Sequence, residues 1–352
     1  MLPTGDCAAF TFRGANVVVG EVVRAAQFRN ELQACVNDVA WKTACEEAAA
    51  RWNLEPDEGA VDAMIDRFRY ENDLISAEEA EAWLEARGLT PDEFQDFFNR
   101  CFWRDTLKEK VVPDQVDPSG VLPGQIDMVQ IELIMSGSFA PLAVGLSRRL
   151  IAHAKEEAPA DGEHVEAERE LFLERTGLKP DGVAGWLASL DRSREWLEGM
   201  LEMEAAHRLR CSAILTPERL SRALASARLP LTRLEVERVG FDSADAAREA
   251  ILCVREDGLS LEEVAHESRF PFERLDFLAE DLPEDQRQKL LCAGIGEIQE
   301  PVQAGGVLQI NRVVQRTEPT LADASVRVRL ERRILDTYFG EAGASDIRWL
   351  IH

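Results

Sequence analysis

The chain has 352 residues, 45% of them hydrophobic and 30% charged, enough to bury a real core and long enough for two or three domains. Acidic residues number 65 against 40 basic ones, a formal net charge of -25; so negative a surface repels phosphate backbones and sets nucleic acid aside as a partner. No apolar run reaches the roughly 18 residues that a membrane span needs, so no membrane insertion is expected.

In chain order, Met1-Leu-Pro-Thr-Gly-Asp-Cys7 has neither a basic stretch nor an apolar one. It does not read as a secretory leader, and the expected location is cytoplasmic. Residues 26–52, rich in Ala, Glu and Arg without Gly or Pro, predict one long helix that Asn53-Leu-Glu-Pro56 ends. A second helix follows over 57–72. Ser76-Ala-Glu-Glu79 is a capping box, the serine accepting an orphan N–H and the glutamate reaching back, and opens a short helix ending near Gly88. Thr90-Pro91-Asp-Glu93 opens the next, with threonine as N-cap and proline at the first helical position. Along it Phe94, Phe97, Phe98, Cys101 and Phe102 share one face, as core or as a wall of a peptide groove. Residues 111–125 hold three prolines and two glycines and read as a linker. Helices resume near Ile126, with a further break at 158–162.

An internal echo links the two halves of this helical region. Val61, Ala63, Phe68, Leu74 and Trp83-Leu84 recur as Val165, Ala167, Phe172, Leu178 and Trp186-Leu187. The offset is 104 from Val61 to Val165 and 103 from Trp83 to Trp186. A long amphipathic helix follows each Trp-Leu, at 91–110 and 192–213. Two copies at this distance indicate a duplicated module rather than a solenoid.

After Pro230 the texture changes. Leu231–Phe241 alternates in part and predicts a strand. Residues 243–257 are helical, Ser260-Leu-Glu-Glu263 caps a short helix, and Pro283 starts another over 283–293. Residues 296–315 read as a hairpin with a Gly-Gly turn at Gly305-Gly306. The last helix, 323–340, carries Val326, Leu330, Ile334 and Tyr338 at steps of four, and 347–351 is a short apolar edge.

The order of these last elements, with LSLEEVAHES (259–268), LPEDQRQKLL (282–291) and GEIQEPVQAGGVLQINRV (296–313), resembles a parvulin-type (PpiC) peptidyl-prolyl isomerase domain. The resemblance rests on Gly296, Glu297, Pro301, Val302, Gly306 and Val313. Upstream, VVVGEVVRAAQF (17–28) is similar to the opening strand and helix of SurA-like foldases. The segment LEPDEGAVDAMIDRF (54–68) and the final helix resemble their helical domain. The resemblance implies a mainly α fold with a small α+β lobe, a SurA-like helical body plus a parvulin-like domain. Its parts are an N-terminal helical module (1–110), a linker (111–125), a second, related helical module (126–229), the parvulin-like α+β domain (230–317), and a C-terminal helix and strand (318–352) packing back on the body.

The departures concern chemistry. Parvulins carry a histidine on the first strand, where this chain reads Leu234-Glu-Val-Glu-Arg-Val239. A second belongs on the last strand, where Gln309 is the nearest match. Phe272-Glu-Arg-Leu-Asp-Phe277 replaces a glycine-rich stretch. A peptide bond resists rotation by ~18–20 kcal/mol, and only contacts stronger in the twisted state lower that barrier. The expected role is therefore a chaperone-like or adaptor protein that binds a peptide or unfolded client without catalysis, and the alternative is an active prolyl isomerase. The missing leader and the degenerate lobe point to a cytosolic client such as a ribosomally made precursor peptide. Candidate peptide-binding residues are Phe94, Phe97, Phe98, Phe102, Trp196, Met200, Gln309, Arg332 and Arg333.

Other patterns carry less. Glu204-Ala-Ala-His207 and Glu263-Val-Ala-His266 have the i, i+3 spacing of di-iron carboxylate helices, a minor metal-dependent oxidoreductase reading. Arg327, Arg329, Arg332 and Arg333 either pair with acidic helices of the body or dock an acidic leader peptide. The seven cysteines contain no CxxC and read as reduced, mostly buried thiols. Neither a dinucleotide nor a Walker motif is present, and no cofactor is expected.

Overall fold

In a computed structural model of the chain, residues 2–118, 121–154, 161–304 and 306–351 are described. They fall into two units, Met1–Ala213 with Tyr338–His352, and Ile214–Thr337. The first is helical around a small sheet, and the second is α+β.

The first unit begins with β1 (Ala8–Phe12) and β2 (Ala15–Val18), and β1 takes β7 (Ile347–Trp349) on its other edge, in the order β2-β1-β7. The apolar end of the chain is thus a strand, with Phe10 opposite Trp349 and their rings 5.1 Å apart. β1 was not foreseen, although Arg13-Gly14, both at positive φ, turn it back into β2. The helix expected over 26–52 is two, α1 (Val19–Phe28) and α2 (Gln33–Arg51). Asn30 breaks it at φ 56°, a left-handed conformation that asparagine tolerates better than most residues. The Glu31 N–H then closes the helix end on Ala26 O at 2.9 Å.

Then come α3 (Glu58–Glu71), α4 (Ala77–Arg87) and α5 (Pro91–Leu107). Ser76 and Thr90 both form the expected capping boxes, accepting the N–H groups of Glu79 (3.1 Å) and Glu93 (3.2 Å). Gly88 ends α4 at φ 67°, where an added Cβ would lie 2.6 Å from Cys7 Sγ and from Leu2 O. Only glycine fits that turn. The expected linker is not wholly irregular: its end is a single turn, α6 (Val121–Gly124), with Val121 buried. α7 (Ile126–Met135) and α8 (Phe139–Ala154) follow. The break expected at 158–162 falls mostly outside the described residues.

α9 (Gly162–Thr176), α10 (Val183–Ser189) and α11 (Arg194–Ile214) repeat the logic of α3, α4 and α5. Asp57 and Asp161 cap α3 and α9, each accepting the N–H three residues on. Thr90 and Ser193 do the same at α5 and α11. Phe68 meets Trp83 edge-on at 5.5 Å, and Phe172 meets Trp186 at 5.2 Å. The sequence echo is therefore an echo of packing. One apolar cluster holds these helices together, from Phe10 and Phe28 through Val61, Phe97 and Phe98 to Phe172 and Leu201.

The second unit is built on β3 (Arg233–Phe241), preceded by α12 (Pro217–Ser226). β3 is flanked by β4 (Phe272–Leu278) and β6 (Val307–Thr317), with β5 (Val302–Ala304) outermost, in the antiparallel order β4-β3-β6-β5. The hairpin of β5 and β6 was expected; β4 was not. Both faces of the sheet are covered. Val239, Phe241 and Ile310 pack under α13 (Ala244–Glu256) and α14 (Leu261–Ser268). Leu234, Val236 and Val313 pack with Leu290 of α15 (Glu284–Cys292).

Two boundaries differ from expectation. α12 belongs with the sheet, because Leu220 and Ala227 share a buried cluster with Leu231 and Leu278. The last helix, α16 (Ala324–Gly343), does not belong to the helical body alone, since Val326 and Leu330 complete that same cluster.

Candidate functional site

In the helical unit β2, α1, α8 and α11 frame a groove of about 390 Å³. Its apolar surface comes from Val17, Leu146, Leu150, Trp196, Met200 and Met203, and Arg24 and Arg192 stand over it. Met200 and Met203 are buried, while Trp196, Leu150 and Val17 are half-buried. Unbranched thioethers adapt to varied shapes, which suits a surface that accepts more than one side chain.

Each charge has a local origin. Arg24 lies one turn into α1, half-buried, and its pKa is lowered by burial first and by the Arg192 guanidinium second. Glu21 also lines the groove, and its carboxylate accepts the Val18 N–H at 2.9 Å. Among the described residues no carboxylate sits within ion-pair distance of Arg24 or Arg192. The two guanidinium groups repel each other over an apolar floor, and Glu21, Asp6 and Asp191 lie near enough to Arg24 to offset part of that repulsion.

Trp196 and Met200 are thus the two candidates that fall in one groove. Phe97 and Phe98 do not: they are buried, Phe98 edge-on to Phe68 at 5.6 Å and Phe97 under the Lys42 ammonium at 4.9 Å. Phe94 and Phe102 are half-buried, Phe94 against Phe68 and Phe98, Phe102 against Trp103. The phenylalanine stripe is core, not groove wall. Arg333 pairs with Glu280, and Arg329 holds Glu280 and Asp281 at 2.7 Å, within the sheet unit. Arg332 is more exposed than Arg333, with 81% of its side chain accessible against 44%, and lies 3.8 Å from Asp336.

On the sheet, Arg238 Nε donates to Asn311 Oδ1 at 3.1 Å. Gln309 is half-buried opposite Gly240 of β3. Arg238 and Asn311 thus face each other across β3 and β6. The chain's five histidines (His153, His164, His207, His266, His352) lie on neither strand.

The metal reading fails on its ligands. Glu204 is taken by Arg149 at 2.6 Å, Glu263 by its own capping box, and His266 is exposed in the other unit. His207 stacks on Phe339 at 5.5 Å. Among the described residues no three His, Cys, Asp or Glu are placed to hold a metal ion. The Cys211 thiol lies 3.5 Å from His207 Nε2. Burial raises the thiol and lowers the imidazole to about 3, so both are neutral near pH 7 and do not form an activated nucleophile. Cys7, Cys45 and Cys101 are buried, but Cys292 is exposed. Among the described residues no single helix is long and apolar enough to cross a membrane; α7 and α8 meet that test only together, across a 100° bend.

The groove was not foreseen. Its walls come from residues near 20, 148 and 198, and only Trp196 and Met200 gave a local signal.

No protein-family model matches the chain, and no curated protein matches it. Among solved structures, the peptidylprolyl isomerase PrsA from Bacillus cereus is similar over 63% of this chain and 85% of its own, at 14% identity and a TM-score of 0.36. PrsA from Bacillus anthracis is similar over 58% and 96%, at 12% and 0.33. A SurA-like chaperone of Campylobacter jejuni is similar over 61% and 88%, at 7% and 0.24. At these identities and TM-scores no activity, client or residue role carries over.

Proposed function

We propose that this chain is a chaperone-like or adaptor protein that holds a peptide or unfolded polypeptide without bond chemistry, in the groove between α1, α8 and α11. The observation that carries the reading is the pair Arg24 and Arg192 over Trp196, Met200 and Met203. Such a groove suits an acidic, partly apolar segment laid in as a helix or an extended strand, as an acidic leader of a ribosomally made precursor peptide would be. The sheet unit then serves as a second arm rather than as an isomerase, a reading supported by the lack of a histidine on β3 and β6. Two assays on the full chain test this together. Aggregation of an unfolded client is slowed, and isomerisation of a chromogenic prolyl peptide runs at the buffer rate. Accelerated isomerisation without any holding of the client overturns the proposal.

A further inference from the structure

Among the packing positions at which the two helical triplets differ, one lies beside a hollow. Counted from their caps, Thr90 and Ser193, Phe94 of α5 corresponds to Leu197 of α11. In the first copy the Phe94 ring closes against Phe68 at 5.7 Å and Phe98 at 5.0 Å. In the second, Phe172 stacks on Phe28 at 4.9 Å and meets Trp186 in a T-shaped contact at 5.2 Å. Beside Leu197 there remains a hollow of about 280 Å³, lined by Phe172, Leu173, Val183, Leu187 and Leu197. An apolar floor that opens to solvent beside a few polar groups is the usual form of a site for a ring-sized group.

Its rim is charged. Arg169 and Arg194 both line the hollow and both face Glu198. Arg169 holds that carboxylate at 2.5 Å, while Arg194 lies 3.9 Å away with 84% of its side chain exposed. Arg169 is also held by Glu166 at 3.0 Å, so Glu166 and Glu198 satisfy it, while Arg194, with Glu198 no nearer than 3.9 Å, keeps donors for another carboxylate.

We infer that this hollow is a second peptide subsite, which takes an aromatic side chain of an acidic peptide segment, ring beside Leu197 and neighbouring carboxylate on Arg194. It shares no lining residue with the groove at Arg24 and stands whether or not that groove binds a client.

The test is a titration of the full chain, with methyl-labelled leucine and valine, by three capped tripeptides: Asp-Phe-Asp, Asp-Ala-Asp and Lys-Phe-Lys. Asp-Phe-Asp shifts the methyl signals of Leu173, Leu187 and Leu197 and binds about tenfold more tightly than either control, the worth of one buried ring or of one charge contact. Leu197→Phe fills the hollow from inside, as Phe94 does in the first copy, and loses that binding. Ala184→Phe plugs the mouth from an exposed lining position, so it loses binding even if Leu197→Phe fails to fold. Arg24→Glu leaves the affinity unchanged. Equal binding of all three peptides, binding that survives both plugging variants, binding lost in Arg24→Glu, or no saturable binding at all overturns the inference.

Discussion

Phe172 lies flat against Phe28, ring centroids 4.9 Å apart and planes 9° apart. The stack joins the repeated triplet of α9, α10 and α11 to α1, the helix that bears Arg24. Both rings are fully buried, so the wall of the groove depends on a contact made between residues far apart in the chain. Phe172→Ala is expected to destabilise the helical unit by about 3–5 kcal/mol, the usual result of emptying a large aromatic site. Urea unfolding followed by tryptophan fluorescence reads it, and a loss below about 1 kcal/mol contradicts it.

His207 gives the helical unit a pH dependence. Burial first, then Arg149, Arg148, Arg29 and Arg208, bring its pKa down to about 3. The folded value lies below the unfolded one near 6.5. Its contribution is therefore fully present above about pH 6.5 and is lost as pH falls toward 3, by at most about 1.4 kcal/mol per unit. Unfolding midpoints measured from about pH 7 down to about pH 4 should fall, and His207→Gln should flatten the fall. An equal slope in the variant contradicts this origin.

Gly88 makes a sharper prediction. Its positive φ and the 2.6 Å approach of Cys7 Sγ and Leu2 O exclude a side chain. Gly88→Ala is expected to lower stability by more than about 1 kcal/mol, whereas Gly→Ala at an unstrained site commonly raises it. Thermal unfolding distinguishes the two.

Arg332 and Arg333 should separate. Arg333→Glu places a carboxylate against Glu280, which Arg329 and Arg333 now share, and is expected to destabilise the sheet unit by about 1–2 kcal/mol. Arg332→Glu, on an exposed face, should stay within about 0.5 kcal/mol. Equal losses in both, read by chemical denaturation, contradict the pairing.

What the sequence disclosed follows from range. Caps are local, so Ser76, Thr90 and Ser260 marked their helices correctly. The Phe–Trp echo was legible because each pair lies within one triplet. β4 was not, since Phe-Glu-Arg-Leu-Asp-Phe-Leu has no strand alternation of its own and is extended through its pairing with β3. The break at Asn30 was hidden because no glycine or proline announces it. Phe97 and Phe98 showed their periodicity but not their burial, which needs Phe68 and Lys42 from other helices. The groove gathers Val17, Leu146 and Trp196 by tertiary packing alone.

The most direct test of peptide holding is a fluorescence titration with a labelled acidic amphipathic peptide, comparing the native chain with the Arg24→Glu, Arg192→Glu double variant. The native chain should bind the acidic peptide, more weakly as salt rises, and the folded double variant should bind it at least about tenfold more weakly. Undiminished affinity in a double variant with native circular dichroism would contradict the assignment of this groove.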